Sequence, residues 1–125
     1  MTDTWEVPHL EVSVSYHNGI PVVKAKGDCD LITSRRLTEI VESLVNSGHC
    51  RIVFDMRDMT YMDSSGFRVL LEAKKKVADK SGNIVLIGLK SPVERTFKLL
   101  NLDDLITRAK TIEEGVQKLQ NIHCT

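Results

Sequence analysis

Charge of one sign is what this chain lacks first. Seventeen Lys and Arg balance seventeen Asp and Glu over 125 residues, so the formal net charge is zero. Such a chain has no global field to hold nucleic acid or an anionic membrane surface, and only local patches remain for either. Cysteine is also scarce. Cys29, Cys50 and Cys124 are odd in number and show no close pairing, which does not suggest a disulfide framework; the reducing cytosol is the natural compartment. No pair is spaced C-x-x-C and the four histidines are scattered, so a zinc site has no support. Long hydrophobic runs are missing. The longest, Ile84 to Ile87, is far below the about 20 residues that cross a bilayer. The stretch from Met1 to Glu6 has neither the basic nor the apolar region of a signal peptide. A cytoplasmic protein with no direct nucleic-acid or membrane partner is expected.

What is present is an ordinary globular composition, 42% hydrophobic and 27% charged, sufficient for one domain over residues 1–125 with a real core. Residues 1–8 read as a loose lead-in and 121–125 as a tail. Leu10, Val12, Val14 and Tyr16 alternate with polar residues, as in a half-buried strand. Asn18-Gly19 is a tight-turn signal that returns the chain as a second strand, Val22 to Gly27. A helix opens near Thr33 or Ser34, either of which can cap it, and carries the stripe Leu37, Ile40, Val41, Leu44, Val45. Ile84 to Leu89 reads as a buried strand and Leu105 to Arg108 as a short edge strand. Ser91-Pro92-Val93-Glu94 predicts a Ser-capped helix with Pro at its first position. Thr111-x-x-Glu114 predicts a capping box for the last helix. The order β-β-α-β-α-β-α-β-α makes the fold α/β, a mixed and mostly parallel sheet with about four connecting or flanking helices.

One stretch concentrates the chemistry. Ile52-Val53-Phe54 is a short apolar run suited to a strand covered on both faces. Asp55 to Asp63 reads as an irregular acidic loop. From Phe67 a helical period sets in, with Phe67, Leu70, Leu71, Lys74, Val77 and Ala78 on one face. Asp63 or Ser64 can cap that helix. A hydroxyl is thus set at the positive end of a helix, at the carboxyl edge of a parallel sheet, where ligands of open α/β sheets bind and a phosphoryl group can be held. Asp28, Asp30, Asp58 and Asp63 fall in loops at the same edge. Capping alone also explains these residue types.

Tyr61-Met62-Asp63-Ser64-Ser65-Gly66-Phe67 closely resembles the signature of the bacterial anti-sigma factor antagonists, whose fold is the STAS domain. Gly27-Asp28-Cys29-Asp30 resembles the family's Gly-acidic-apolar-Asp after its second strand. Ser91-Pro92-Val93-Glu94-Arg95-Thr96-Phe97 resembles its Ser-Pro helix, and Thr111-Ile112-Glu113-Glu114-Gly115-Val116 its last helix. Four motifs in order cover most of the chain. Cys29 stands where the family has a larger apolar residue. Arg68 stands where it often has Gly, which makes the surface beside Ser64 bulkier and more positive. The resemblance implies a binding switch without catalytic activity or a cofactor of its own. The protein docks on an anti-sigma factor that is also a serine kinase and frees the sigma factor. Phosphorylation of Ser64 ends the docking, and a serine phosphatase resets it. Ser65 is the second candidate acceptor. The expected docking surface is Asp28, Asp30, Met62, Asp63, Ser64, Phe67 and Arg68, with core burial as the competing explanation for Met62 and Phe67.

Other classes compete. A serine hydrolase would use Ser64 as nucleophile, but only one glycine of G-x-S-x-G is kept, and His9 is the one histidine on the right edge. His17 and His49 fall at the far edge, and His123 lies in the tail. An aspartate-phosphorylated receiver would use Asp55, with Asp28 and Asp30 on Mg²⁺; the opening hairpin argues against it. A STAS scaffold subunit of a sensory assembly is the nearest alternative.

Overall fold

A computed structural model describes residues 9–125; the lead-in expected over 1–8 lies outside the described residues. The sheet begins with the antiparallel hairpin of β1 (Leu10–His17) and β2 (Ile20–Cys29). Its turn, Asn18-Gly19, takes positive φ at both residues, as the dipeptide predicts. Every later pairing is parallel. β2 pairs with β3 (Arg51–Asp55), β3 with β5 (Asn83–Ile87), and β5 with β6 (Thr107–Ala109), giving the order β1-β2-β3-β5-β6. The family-like mixed, mostly parallel sheet is therefore present.

Two layers of helix enclose it. α1 (Ser34–Asn46), α2 (Ser64–Ala78) and α3 (Val93–Leu99) supply side chains to the larger core, against Val23, Ala25, Ile52, Phe54, Ile84 and Leu86. α4 (Ile112–Leu119) covers the other face, placing Val116 and Leu119 on Ile20, Val22, Val53, Val85 and Ile87. β3 and β5 are thus buried on both faces, which is why they read as unbroken apolar runs rather than alternations. The α1 stripe points inward as its spacing predicts, with Leu37, Val41, Leu44 and Val45 buried. Thr111 caps α4 by accepting from the Glu114 N–H at 3.1 Å, and Glu114 reaches back to the Lys110 N–H.

Four expectations are corrected. The loop expected over 55–63 contains a further strand, β4 (Met59–Met62), which pairs parallel with the last residues of β2. β2 is long enough to serve two neighbours: Val22–Lys24 face β3, and Gly27–Cys29 face β4 across an irregular register at Gly27/Asp28. Gly27 has φ +111°, and a Cβ there would lie 2.2 Å from the His9 carbonyl oxygen, so only glycine fits. Ser91 does not cap α3, which follows Pro92 without a side-chain cap; Glu94 is instead paired with Arg108. Tyr16 is exposed rather than inward, its ring 5.7 Å from that of His49. Finally, Cys50 and Cys124 form a disulfide, Cα to Cα 5.7 Å across 74 residues of sequence. Sequence distance hides that pair, because the tail returns beneath the sheet to the start of β3.

Candidate functional site

The carboxyl edge of β2 and β4 assembles the candidate site. Cys29 and Met62 are register partners at the two strand ends, and the Asp63 N–H donates to the Cys29 carbonyl at 3.1 Å. Asp63 is the cap of α2: its Oδ1 accepts from the Ser65 N–H at 2.9 Å, and its carbonyl accepts from Gly66. That decides between the two candidate caps. Ser64 is the first helical residue, exposed, and among the described residues its hydroxyl takes part in no hydrogen bond. Ser65 is half-buried, its N–H already engaged.

Gly66 lets the helix come down onto the strand ends. A Cβ there would sit 2.5 Å from Met62 Cγ and 3.0 Å from Cys29 Sγ. Gly66→Val is expected to lift the first turn of α2 and cost about 2 kcal/mol by overpacking. Urea unfolding measures it, and an unchanged midpoint would show that the contact is not tight. The Cys29 thiol below is buried, and burial, then the charges of Asp63 and Asp30, push it up to about 12, so it carries no thiolate chemistry.

The other expected residues divide. Asp28 is half-buried and accepts from the Thr60 hydroxyl at 2.9 Å. Asp30 closes the loop after β2 by accepting from the Ile32 and Thr33 N–H groups, both at 2.9 Å. Hydrogen bonds led by the Thr33 N–H hold its carboxyl below the usual range. Thr33 is not a side-chain cap of α1; its hydroxyl donates to the Asp28 carbonyl at 2.7 Å. Arg68 is exposed, one helical turn beyond Ser64. Met62 and Phe67 are buried, at 6% and 3% exposure, so they support the edge from beneath.

The apolar residues that do face water here were missed from sequence. Leu31 and Ile32 are 74% and 75% exposed in the loop closed by Asp30, and Tyr61 is 49% exposed on β4. A signal existed: Leu31-Ile32 is an apolar pair inside a polar turn, outside the period of either flanking element. Beside Tyr61, a groove of about 210 Å³ runs to α3, lined by Met62, Pro92, Val93 and Thr96.

The competing chemistries do not assemble. His9 lies at this edge, its carbonyl accepting from the Asp28 N–H, but its imidazole is 3.3 Å from Glu11 and makes no bond to Ser64. Asp55 is buried, and Arg57 grips both its oxygens at 2.9 and 2.8 Å. Burial pushes the Asp55 carboxyl up, but the Arg57 hydrogen bonds and charge outweigh this and hold it below the usual range. Among the described residues no three of His, Cys, Asp and Glu converge as metal ligands, and no helix is long and apolar enough to cross a membrane.

The pattern of the STAS domain matches residues 11–118. The chain belongs to the STAS domain family. A relative of this STAS domain is the anti-sigma F factor antagonist of Paenibacillus polymyxa, 26% identical over 95 residues, covering 75% of this chain and 81% of that protein. The crystal structure of an anti-sigma factor antagonist from Mycobacterium paratuberculosis superposes with a TM-score of 0.82 at 19% identity, covering 90% of this chain and 96% of the other. The Bacillus cell fate determinant SpoIIAA in its phosphorylated form superposes with a TM-score of 0.68 at 17% identity, covering 88% and 98%. The fold is thus common to this chain and both structures, and the exposed Ser64 belongs to its carboxyl edge in this chain.

Proposed function

We propose that this STAS domain is an anti-sigma factor antagonist: it docks through its carboxyl edge on an anti-sigma factor that is also a serine kinase, freeing a sigma factor. Phosphorylation of Ser64 by that kinase ends the docking, and a serine phosphatase restores it. One observation carries this reading. Asp63 performs the capping, so the Ser64 hydroxyl is left exposed at a helix N-terminus, without a hydrogen-bond partner among the described residues. The name of the Paenibacillus relative and the phosphorylated state of the SpoIIAA structure support it. ATP and the phosphoryl-transfer groups belong to the kinase; this chain supplies the acceptor and the surface.

The docking surface comprises Asp28, Asp30, Asp63, Ser64 and Arg68 with Leu31, Ile32 and Tyr61 as apolar anchors, while Met62 and Phe67 hold the backbone beneath it. Exposed apolar side chains ringed by charge are what a partner buries. Ile32→Asp tests this. Because Ile32 is 75% exposed, the melting temperature should stay within a degree or two, while affinity for the co-purified anti-sigma factor should fall by at least about tenfold. Undiminished binding would move the interface elsewhere. Co-purification as a large multi-subunit particle without a kinase would favour the scaffold subunit instead.

A further inference from the structure

The far edge of the sheet holds a device unrelated to Ser64. After α4 ends at Leu119, residues 120–125 cross beneath the sheet from the α4 face to the end of α2. Arg51 Nη1 reaches the carbonyls of Gln120 and Ile122 at 3.4 and 3.5 Å. The Thr125 N–H donates to the Lys80 carbonyl at 2.9 Å, and Ile122 packs against both core clusters. These are a few contacts in a largely exposed segment. The covalent one is the disulfide from Cys124, in the exposed tail, to Cys50, which is fully buried at the start of β3.

The geometry points to Cys50–Cys124 as a thiol–disulfide exchange site for small thiols of the glutathione class, acting as a latch that determines whether residues 120–125 are docked or free. The asymmetry of burial sets the order of events. A thiolate attacks Sγ of Cys124, because Cys50 is sealed. The new bond joins the small thiol to Cys124, the Cys50–Cys124 bond breaks, and Cys50 leaves as a thiolate that takes a proton from water. A second thiolate attacks the sulfur of the small thiol in the mixed disulfide and releases Cys124 as thiolate. Two electrons and two protons pass in all, giving one oxidised small disulfide and two protein thiols. Cys29 stays out of the exchange, since it is buried at the opposite edge of the sheet. Once the bond is open, the restraints left on the tail among the described residues are the Arg51, Thr125 and Ile122 contacts, and a segment held by so few contacts opens locally. The Ser64 edge is at the other ends of the parallel strands and is not expected to change.

The test uses the full chain equilibrated in oxidised or reduced glutathione. Thiols are counted by alkylation under denaturing conditions and intact mass, and the tail is probed by carboxypeptidase digestion and hydrogen exchange. In oxidised glutathione, one thiol and a resistant C-terminus are expected. In reduced glutathione, three thiols are expected, with Cys124 the first to be alkylated in the native protein, trimming of the tail at least about tenfold faster, and lost protection confined to 120–125. Cys124→Ser, at an exposed position, should trim fast in both buffers while keeping the native circular dichroism spectrum. Three thiols in oxidised glutathione would overturn the proposal. So would equal trimming in the two buffers, or global unfolding on reduction, which would make the bond a staple and not a latch.

Discussion

Phosphorylated at Ser64, the protein is expected to bind its anti-sigma factor about a hundredfold more weakly than the unmodified form. The phosphate adds roughly −1.5 to −2 charges at neutral pH. On the docking surface proposed above, the exposed Leu31, Ile32 and Tyr61 are to be buried together with Ser64, so the dianion would have to give up water within an apolar contact. In the free protein it is comparatively well served: the α2 N-terminus favours negative charge, and Arg68 lies one turn away. Stabilising the free state and penalising the bound one act in the same direction. A loss of about 2.8 kcal/mol corresponds to the hundredfold, at about 1.4 kcal/mol per decade. The same helix dipole and Arg68 predict that the fold survives, with little change in melting temperature. Ser64→Ala removes an exposed hydroxyl that makes no hydrogen bond among the described residues, so it should bind as the unmodified protein does and ignore ATP. Ser64→Asp adds one charge at shorter reach and should weaken binding by less than the phosphate. Partner affinity for the three proteins, with and without ATP, measures all of this. Loss of affinity in Ser64→Ala on adding ATP would assign the acceptor to Ser65 or another residue.

Arg57→Ala should destabilise the fold by about 3 kcal/mol at neutral pH. Asp55 ends β3 with a buried carboxylate whose ligands are the Arg57 side chain and the Arg57 N–H, the latter at 3.1 Å. Removing one member of a buried pair leaves an uncompensated charge and typically costs 3–5 kcal/mol. The Arg57 side chain is itself half in water, which places the expectation at the lower end. The pH dependence identifies the cause. In the native protein the Asp55 carboxyl is held low, so its contribution is complete above the unfolded carboxylate range and is lost as pH falls through the folded value. Without the Arg57 side chain, burial, the largest single influence, is opposed by the residue-57 backbone N–H and the Lys24 charge alone, and the folded carboxyl is expected above its unfolded value. The sign reverses: the folded state now takes the proton more readily, and the variant recovers stability as pH drops from 7 toward 5. Urea unfolding of both proteins at pH 7 and 5 should show the gap narrowing. A gap that is constant with pH would mean that Arg57 acts by packing alone.

Much of this protein was legible locally. The Asn18-Gly19 turn, the apolar runs of β3 and β5, the stripe of α1 and the Thr111 capping box each depend on neighbours within a few residues, where backbone preference and side-chain period act directly. The same local rules placed Ser64 at a helix start on the carboxyl edge. What they left open, tertiary contacts decided. Asp63 rather than Ser64 became the cap, which freed the hydroxyl. β4 was invisible because Met59 and Met62 point inward with two exposed residues between them, a spacing set by its pairing to an irregular β2 and not by alternation. Met62 and Phe67 went inward because Gly66 lets α2 settle on the strand ends, whereas Leu31 and Ile32 stayed outside because Asp30 holds their loop away from any core. Cys50 and Cys124 met because the chain after α4 turns beneath the sheet. Sequence patterns report the forces along the chain; which loop apolar residues remain in water, and which distant sulfurs touch, depends on surfaces that exist only once the layers have packed.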